Sequence, residues 1–75
     1  MHHPPASTSQ VVATVTEVLP QFGLAHLVDA EMRAWTVTKG MPGAGIDTLE
    51  PGRRVTLSVA DHGSFAIASG YAPLV

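Results

Sequence analysis

The six prolines of this 75-residue chain limit where regular structure can run. A proline has no N–H to give to a ladder, so it belongs at the end of a strand or in a turn. Five segments rich in β-branched or alternating residues lie between them. Gln10 to Leu19 is dense in Val and Thr, which suit a pleated strand. Val11, Val15, Val18 and Leu19 would also line one helical face, but the β-branched content favours the strand. Pro20 ends it. Phe22 to Val28 reads as a second strand whose two sides, Phe22, Leu24, His26, Val28 and Gly23, Ala25, Leu27, are both largely apolar. Asp29-Ala30-Glu31 makes a polar turn, and Met32 to Thr38 follows as a third strand with Trp35 and Val37 opposite Ala34 and Thr36.

From Lys39 to Gly52 the texture changes to a long connection carrying Gly40, Gly43, Gly45, Gly52, Pro42 and Pro51, which no regular element tolerates. Ile46 and Leu49 are its expected anchors, and Glu50-Pro51-Gly52 has the composition of a tight turn with glycine at its second corner. Arg53 to Val59 shows the clearest alternation, Val55, Leu57 and Val59 against Arg54, Thr56 and Ser58, as a half-buried strand requires. Asp61-His62-Gly63 turns the chain and Phe65 to Tyr71 returns as the last strand, which leaves all six prolines outside the expected strands. Met1 to Ser9 has nothing apolar enough to pack and reads as a disordered arm ahead of a single domain, residues 10–75. Five short strands in so short a chain point to an all-β, small antiparallel barrel, since closing a sheet removes edges.

Composition narrows the function. A chain of this length makes one thin core, and without cysteine it has neither disulfides nor thiolate metal sites, which suits a reducing cytoplasm. No apolar run approaches the roughly 20 residues needed to cross a bilayer, so a membrane role is not expected. His2 and His3 are adjacent but lack a third ligand, so neither a metal nor another cofactor is expected. The net charge is −2, with only Arg33, Lys39, Arg53 and Arg54 as permanent cations. Nucleic-acid affinity comes largely from cations that displace counterions, so any such affinity should be weak and a protein partner gains ground. Nothing in the chain has the form of a nucleophile elbow or an acid pair, and no enzyme is expected.

Several stretches resemble the cold-shock domain, a five-stranded oligonucleotide-binding (OB) barrel for single-stranded RNA or DNA. Ala13-Thr14-Val15-Thr16-Glu17-Val18 falls on that family's opening G-T-V-K-W-F strand. Pro20-Gln21-Phe22-Gly23-Leu24-Ala25 falls on its K-G-F-G-F-I motif, and Ala34-Trp35-Thr36-Val37-Thr38 on its V-F-V-H-F motif. The segment Gly45 to Leu57 matches G-F-x-S-L-x-x-G-x-x-V-x-F more closely. The opening residues Val15 to Pro20 also resemble the start of bacterial translation initiation factor one, another small barrel.

The resemblance implies an OB fold whose exposed face carries the binding residues. On that face Phe22 keeps an aromatic and Trp35 replaces one, whereas Leu24, Ile46, Glu17, Val37 and Thr38 stand where the family stacks or pairs bases, and Thr16 and Pro20 stand for its lysines. Two ligands are therefore expected for one surface made by Phe22, Leu24, His26, Trp35 and Val37. One is single-stranded RNA or DNA, bound weakly with help from Lys39, Arg53 and Arg54. The other is a protein docked on the same apolar face, with self-association as a variant. The bland alternative has Phe22, Leu24, Trp35 and Val37 packed in the core.

Overall fold

The structure is a computed structural model that describes residues 7–74. Five antiparallel strands form one curled sheet: β1 (Ser7–Leu19), β2 (Leu24–Asp29), β3 (Ala34–Thr38), β4 (Arg54–Asp61) and β5 (Ala66–Pro73). Their order across the sheet is β3-β2-β1-β4-β5. The architecture is the small, OB-like, all-β barrel that the alternation of residues predicts, left open between β3 and β5.

The curl comes from β1. Ser7 to Thr14 pair with β4, Ala13 to Leu19 pair with β2, and the two partners overlap only at Ala13 and Thr14. Thr16 is an extra residue, a bulge between Val15 and Glu17 that bends the strand where it changes partner. The interior that results is lined by Ala13 and Val15 of β1, Ala25 and Leu27 of β2, Trp35 and Val37 of β3, Val55, Leu57 and Val59 of β4, and Tyr71 of β5. Ile46 and Leu49 complete it from the long connection, as anticipated, and a 3-10 turn over Ile46–Thr48 presents them.

That connection also closes the mouth between β3 and β5. The Tyr71 N–H donates to the Pro42 carbonyl at 3.1 Å, and the Gly45 N–H donates to the Tyr71 hydroxyl oxygen at 3.0 Å. Gly43 lies so close to the Tyr71 ring that a Cβ there would sit 2.5 Å from a ring carbon, so only glycine fits. Glu50 to Arg53 forms the expected turn: the Arg53 N–H donates to the Glu50 carbonyl at 3.0 Å, and Gly52 has φ 91°.

Several boundaries differ from the sequence reading. Ser7 to Ser9 belong to β1, facing Val59 to Asp61, and so are not part of the arm expected over 1–9; residues 1–6 of that expectation, with His2 and His3, lie outside the described residues. Phe22 is not in a strand but in a 3-10 turn, Pro20–Phe22, that Gly23 ends in the left-handed conformation (φ 66°). Met32 sits in the β2–β3 turn at φ 64°, and β3 starts only at Ala34. Phe65 precedes β5, and Pro73 is its last residue, which a strand on the edge of a sheet tolerates.

Candidate binding face

Pairing between β2 and β3 fixes which side chains can meet a ligand. Leu27 faces Trp35 and Ala25 faces Val37, all inward; Leu24 faces Thr38, His26 faces Thr36 and Val28 faces Ala34, all outward. Trp35 is 5% exposed and Val37 is fully buried. The expected surface of Phe22, Leu24, His26, Trp35 and Val37 therefore does not form. Its members divide between the two sides of the sheet because side chains alternate along a strand.

A buried indole needs a partner for its N–H, and Asp29 supplies one. The Trp35 Nε1–H donates to Asp29 Oδ2 at 3.0 Å, while the Glu31 and Arg33 backbone N–H groups each donate to Oδ1 at 2.9 Å. Asp29 thus folds the β2–β3 turn around its own carboxylate and ties that turn to the core. The Trp35 hydrogen bond, and then that from the Arg33 backbone, holds the Asp29 carboxyl below its ordinary value, against an opposing effect of burial; the Glu31 backbone and the Arg33 charge act in the same lowering direction. The Arg33 guanidinium stands 5.7 Å from the Trp35 ring centroid and pairs loosely with Glu31 at 3.7 Å. Asp29 is the residue that sequence reasoning took for a plain turn position. Its signal is a lone acid closing an apolar strand, two and four residues before the N–H groups it accepts.

The outer face of β2 and β3 carries Leu24 and His26, both half-buried, and the exposed Thr36 and Thr38. Nδ1 of His26 and Oγ1 of Thr36 are 3.1 Å apart, and the bulged Thr16 hydroxyl donates to the His26 carbonyl at 3.1 Å. Glu17 lies opposite His26 on β1 and is exposed, so a carboxylate sits in the middle of this face. Phe22 projects at its end with 69% of its surface exposed. Lys39 lies beside this turn: its N–H donates to the Gly23 carbonyl at 2.8 Å, and its aliphatic stem packs on Gly23 in a hollow shared with Pro20, Gly45, Ile46 and Asp47. Of the sequence-derived residues, then, Leu24 and His26 share the outer face, Phe22 stands in the turn at its end, and Lys39 packs on Gly23 beside that turn.

Arg53 and Arg54 do not join them. Arg53 borders an apolar hollow of about 200 Å³ beside Leu49, Val55 and Tyr71. Arg54 lies across β1 from Val28, with Thr14 between, at the far side of the outer face. Among the described residues no three His, Cys, Asp or Glu side chains are grouped to hold a metal ion, and no helix is long and apolar enough to cross a membrane. The fold and this face define an open antiparallel barrel of OB type. No family model, curated protein or solved structure matches the chain.

Proposed function

We propose that this domain binds single-stranded RNA or DNA weakly, at the end of the outer face where Leu24 and His26 lead to the Phe22 turn and Lys39 packs on Gly23, and that it does so in the cytoplasm in support of transcription or translation. The observation that carries the reading is the Phe22 ring, exposed in the turn between β1 and β2, with Lys39 packed on the adjacent Gly23. Barrels of OB type hold oligonucleotides with the face of their second and third strands and with the turn that precedes it. An exposed ring offers a base a stacking surface worth about 1 to 3 kcal/mol, and the neighbouring ammonium offers a phosphate a charge. Affinity stays low because one ring does the stacking, Trp35 being in the core, and because Glu17 repels phosphate from the middle of the face.

A second reading has support from that same carboxylate. An acidic face with Phe22 and Leu24 as apolar contacts suits a protein surface as well as it suits a nucleic acid. Amide-shift mapping with a short pyrimidine oligonucleotide at low ionic strength separates the two. Shifts confined to Phe22 through His26 and Lys39, fading as salt is added, support the nucleic-acid reading. An unchanged spectrum up to high micromolar oligonucleotide refutes it and transfers the face to a protein ligand.

A further inference from the structure

Among the described residues, the first half of β1 pairs with a strand on one side only. Pairing with β2 begins at Ala13, so from Thr8 to Val12 the strand pairs with β4 along one edge and with no described strand along the other. The Val15 N–H donates to the Arg53 carbonyl, and the Gly52 N–H to the Val15 carbonyl, which turns the backbone groups of Val15 toward the β4 side. Strand alternation then gives Ser9, Val11 and Ala13 the hydrogen-bonded positions against β4. The N–H and C=O groups of Thr8, Gln10 and Val12 point to the open edge.

This edge lacks the features that keep strands from pairing with other chains. No charge, proline or bulge interrupts Ser7 to Val12, and Thr and Val favour extended backbone. The other edges differ: β3 and β5 flank the mouth that the long connection bridges, where Pro42 takes the Tyr71 N–H. Alongside β1 lies a hollow of about 300 Å³, bordered by Gln10, Val11 and Val12 on one side and by Ala30, Glu31 and Arg33 of the β2–β3 turn on the other. It gives a second strand room to enter.

We propose that two copies of this chain pair through these edges, antiparallel across a two-fold axis at Gln10. In that register Gln10 meets its own counterpart and Thr8 meets Val12, each pair exchanging two backbone hydrogen bonds. The pairing is self-complementary: β-branched side chains face each other on either side of the axis, the two Gln10 amides adjoin, and no like charges are opposed. The three strands β5, β4 and β1 of each copy then continue into those of the other as one sheet. The surface is separate from the Phe22 and Lys39 face.

Sedimentation of the full chain from micromolar to millimolar concentration, read beside amide hydrogen exchange, tests this. A monomer–dimer equilibrium is expected, with exchange at Thr8, Gln10 and Val12 slowing as concentration rises while that at Ser9 and Val11, already bonded to β4, stays the same. Gln10→Pro removes only an outward N–H and does so in both copies, so it should weaken association on the order of tenfold to a hundredfold with an unchanged circular dichroism spectrum. Gln10→Lys leaves the backbone intact and sets two cations face to face on the axis, and it should weaken association likewise. Added salt should leave the dimer intact or strengthen it, since each chain is acidic, whereas it weakens binding to an oligonucleotide. A monomer at millimolar concentration overturns the proposal. So does a dimer that both Gln10 variants leave untouched, or one that Phe22→Ala dissociates instead.

Discussion

Replacing Trp35 by alanine should cost this domain a large share of its stability, and the size of the loss follows from the facing of β3. The indole is 5% exposed, packs on the far side of the sheet from His26 and Thr36, and is held by Asp29. Truncating a buried aromatic to alanine costs about 3 to 5 kcal/mol. A chain of 75 residues has a total margin of roughly 4 to 11 kcal/mol, taking about 0.05 to 0.15 kcal/mol per residue. One substitution therefore removes between about a quarter and all of it. In a domain this small each kcal/mol moves the melting temperature by about 4 to 8 °C, so a fall of roughly 12 to 40 °C is expected. Thermal unfolding followed by far-ultraviolet circular dichroism measures it without using the tryptophan. Phe22→Ala is the matched control: its ring is 69% exposed, and its loss should change stability by about 0.5 kcal/mol or less. If Trp35→Ala melts within a few degrees of the parent, the indole is not a core residue and the inward facing of β3 is wrong.

Other outcomes follow from single contacts. Phe22→Ala should lower oligonucleotide affinity by about 5- to 150-fold, the loss of one stacked base, and Lys39→Gln should reduce the slope of log affinity against log salt by about 0.7; both are read by titration at several salt concentrations. Met32 holds φ 64° without a packing reason, since its side chain is 81% exposed, so Met32→Gly should stabilise the domain by about 0.5 to 1 kcal/mol in a denaturant titration. The folded Asp29 carboxyl titrates below its ordinary value of 3.8, so its contribution to stability is complete above that value and is lost as pH falls through the lower folded one. Melting temperature should therefore drop on the acid side of about pH 4, and Asp29→Asn should flatten that part of the profile.

Much of this fold is legible in the residues. Strong alternation in Arg54 to Val59 gives β4 its facing, and Ile46 and Leu49 stand out as the apolar positions in a glycine-rich loop. In β3 the bare alternation of Trp35 and Val37 against Ala34 and Thr36 already indicates the observed inward side; the resemblance to the cold-shock motif turns that pair outward, and the structure follows the alternation. In β2 residue type cannot decide, because Leu24 and Val28 on one side weigh as much as Ala25 and Leu27 on the other. Only the register against β3 and β1 selects. The candidate site is less legible for the same reason, since its membership depends on facing. Asp29 and Tyr71 escape notice because what they do is accept hydrogen bonds from backbone and indole N–H groups, including one 26 residues away, which no local pattern encodes. The free half of β1 is hidden too: Ser7 to Ser9 look like a tail, and their ladder partners lie more than 40 residues on.

The bulged Thr16 makes β1 a phase junction. Ahead of it the odd-numbered Ala13 and Val15 point inward; past it the even-numbered Val18 does, and Glu17 is turned to solvent. Deleting one residue there would not simply shorten the strand. It would bring Val15, Glu17 and Val18 into unbroken alternation, inward, outward and inward, opposite Leu27, His26 and Ala25, so the facing would survive while the bend that lets one strand serve two partners would go. The extra residue thus sets the curvature of the barrel and not which side chains line it.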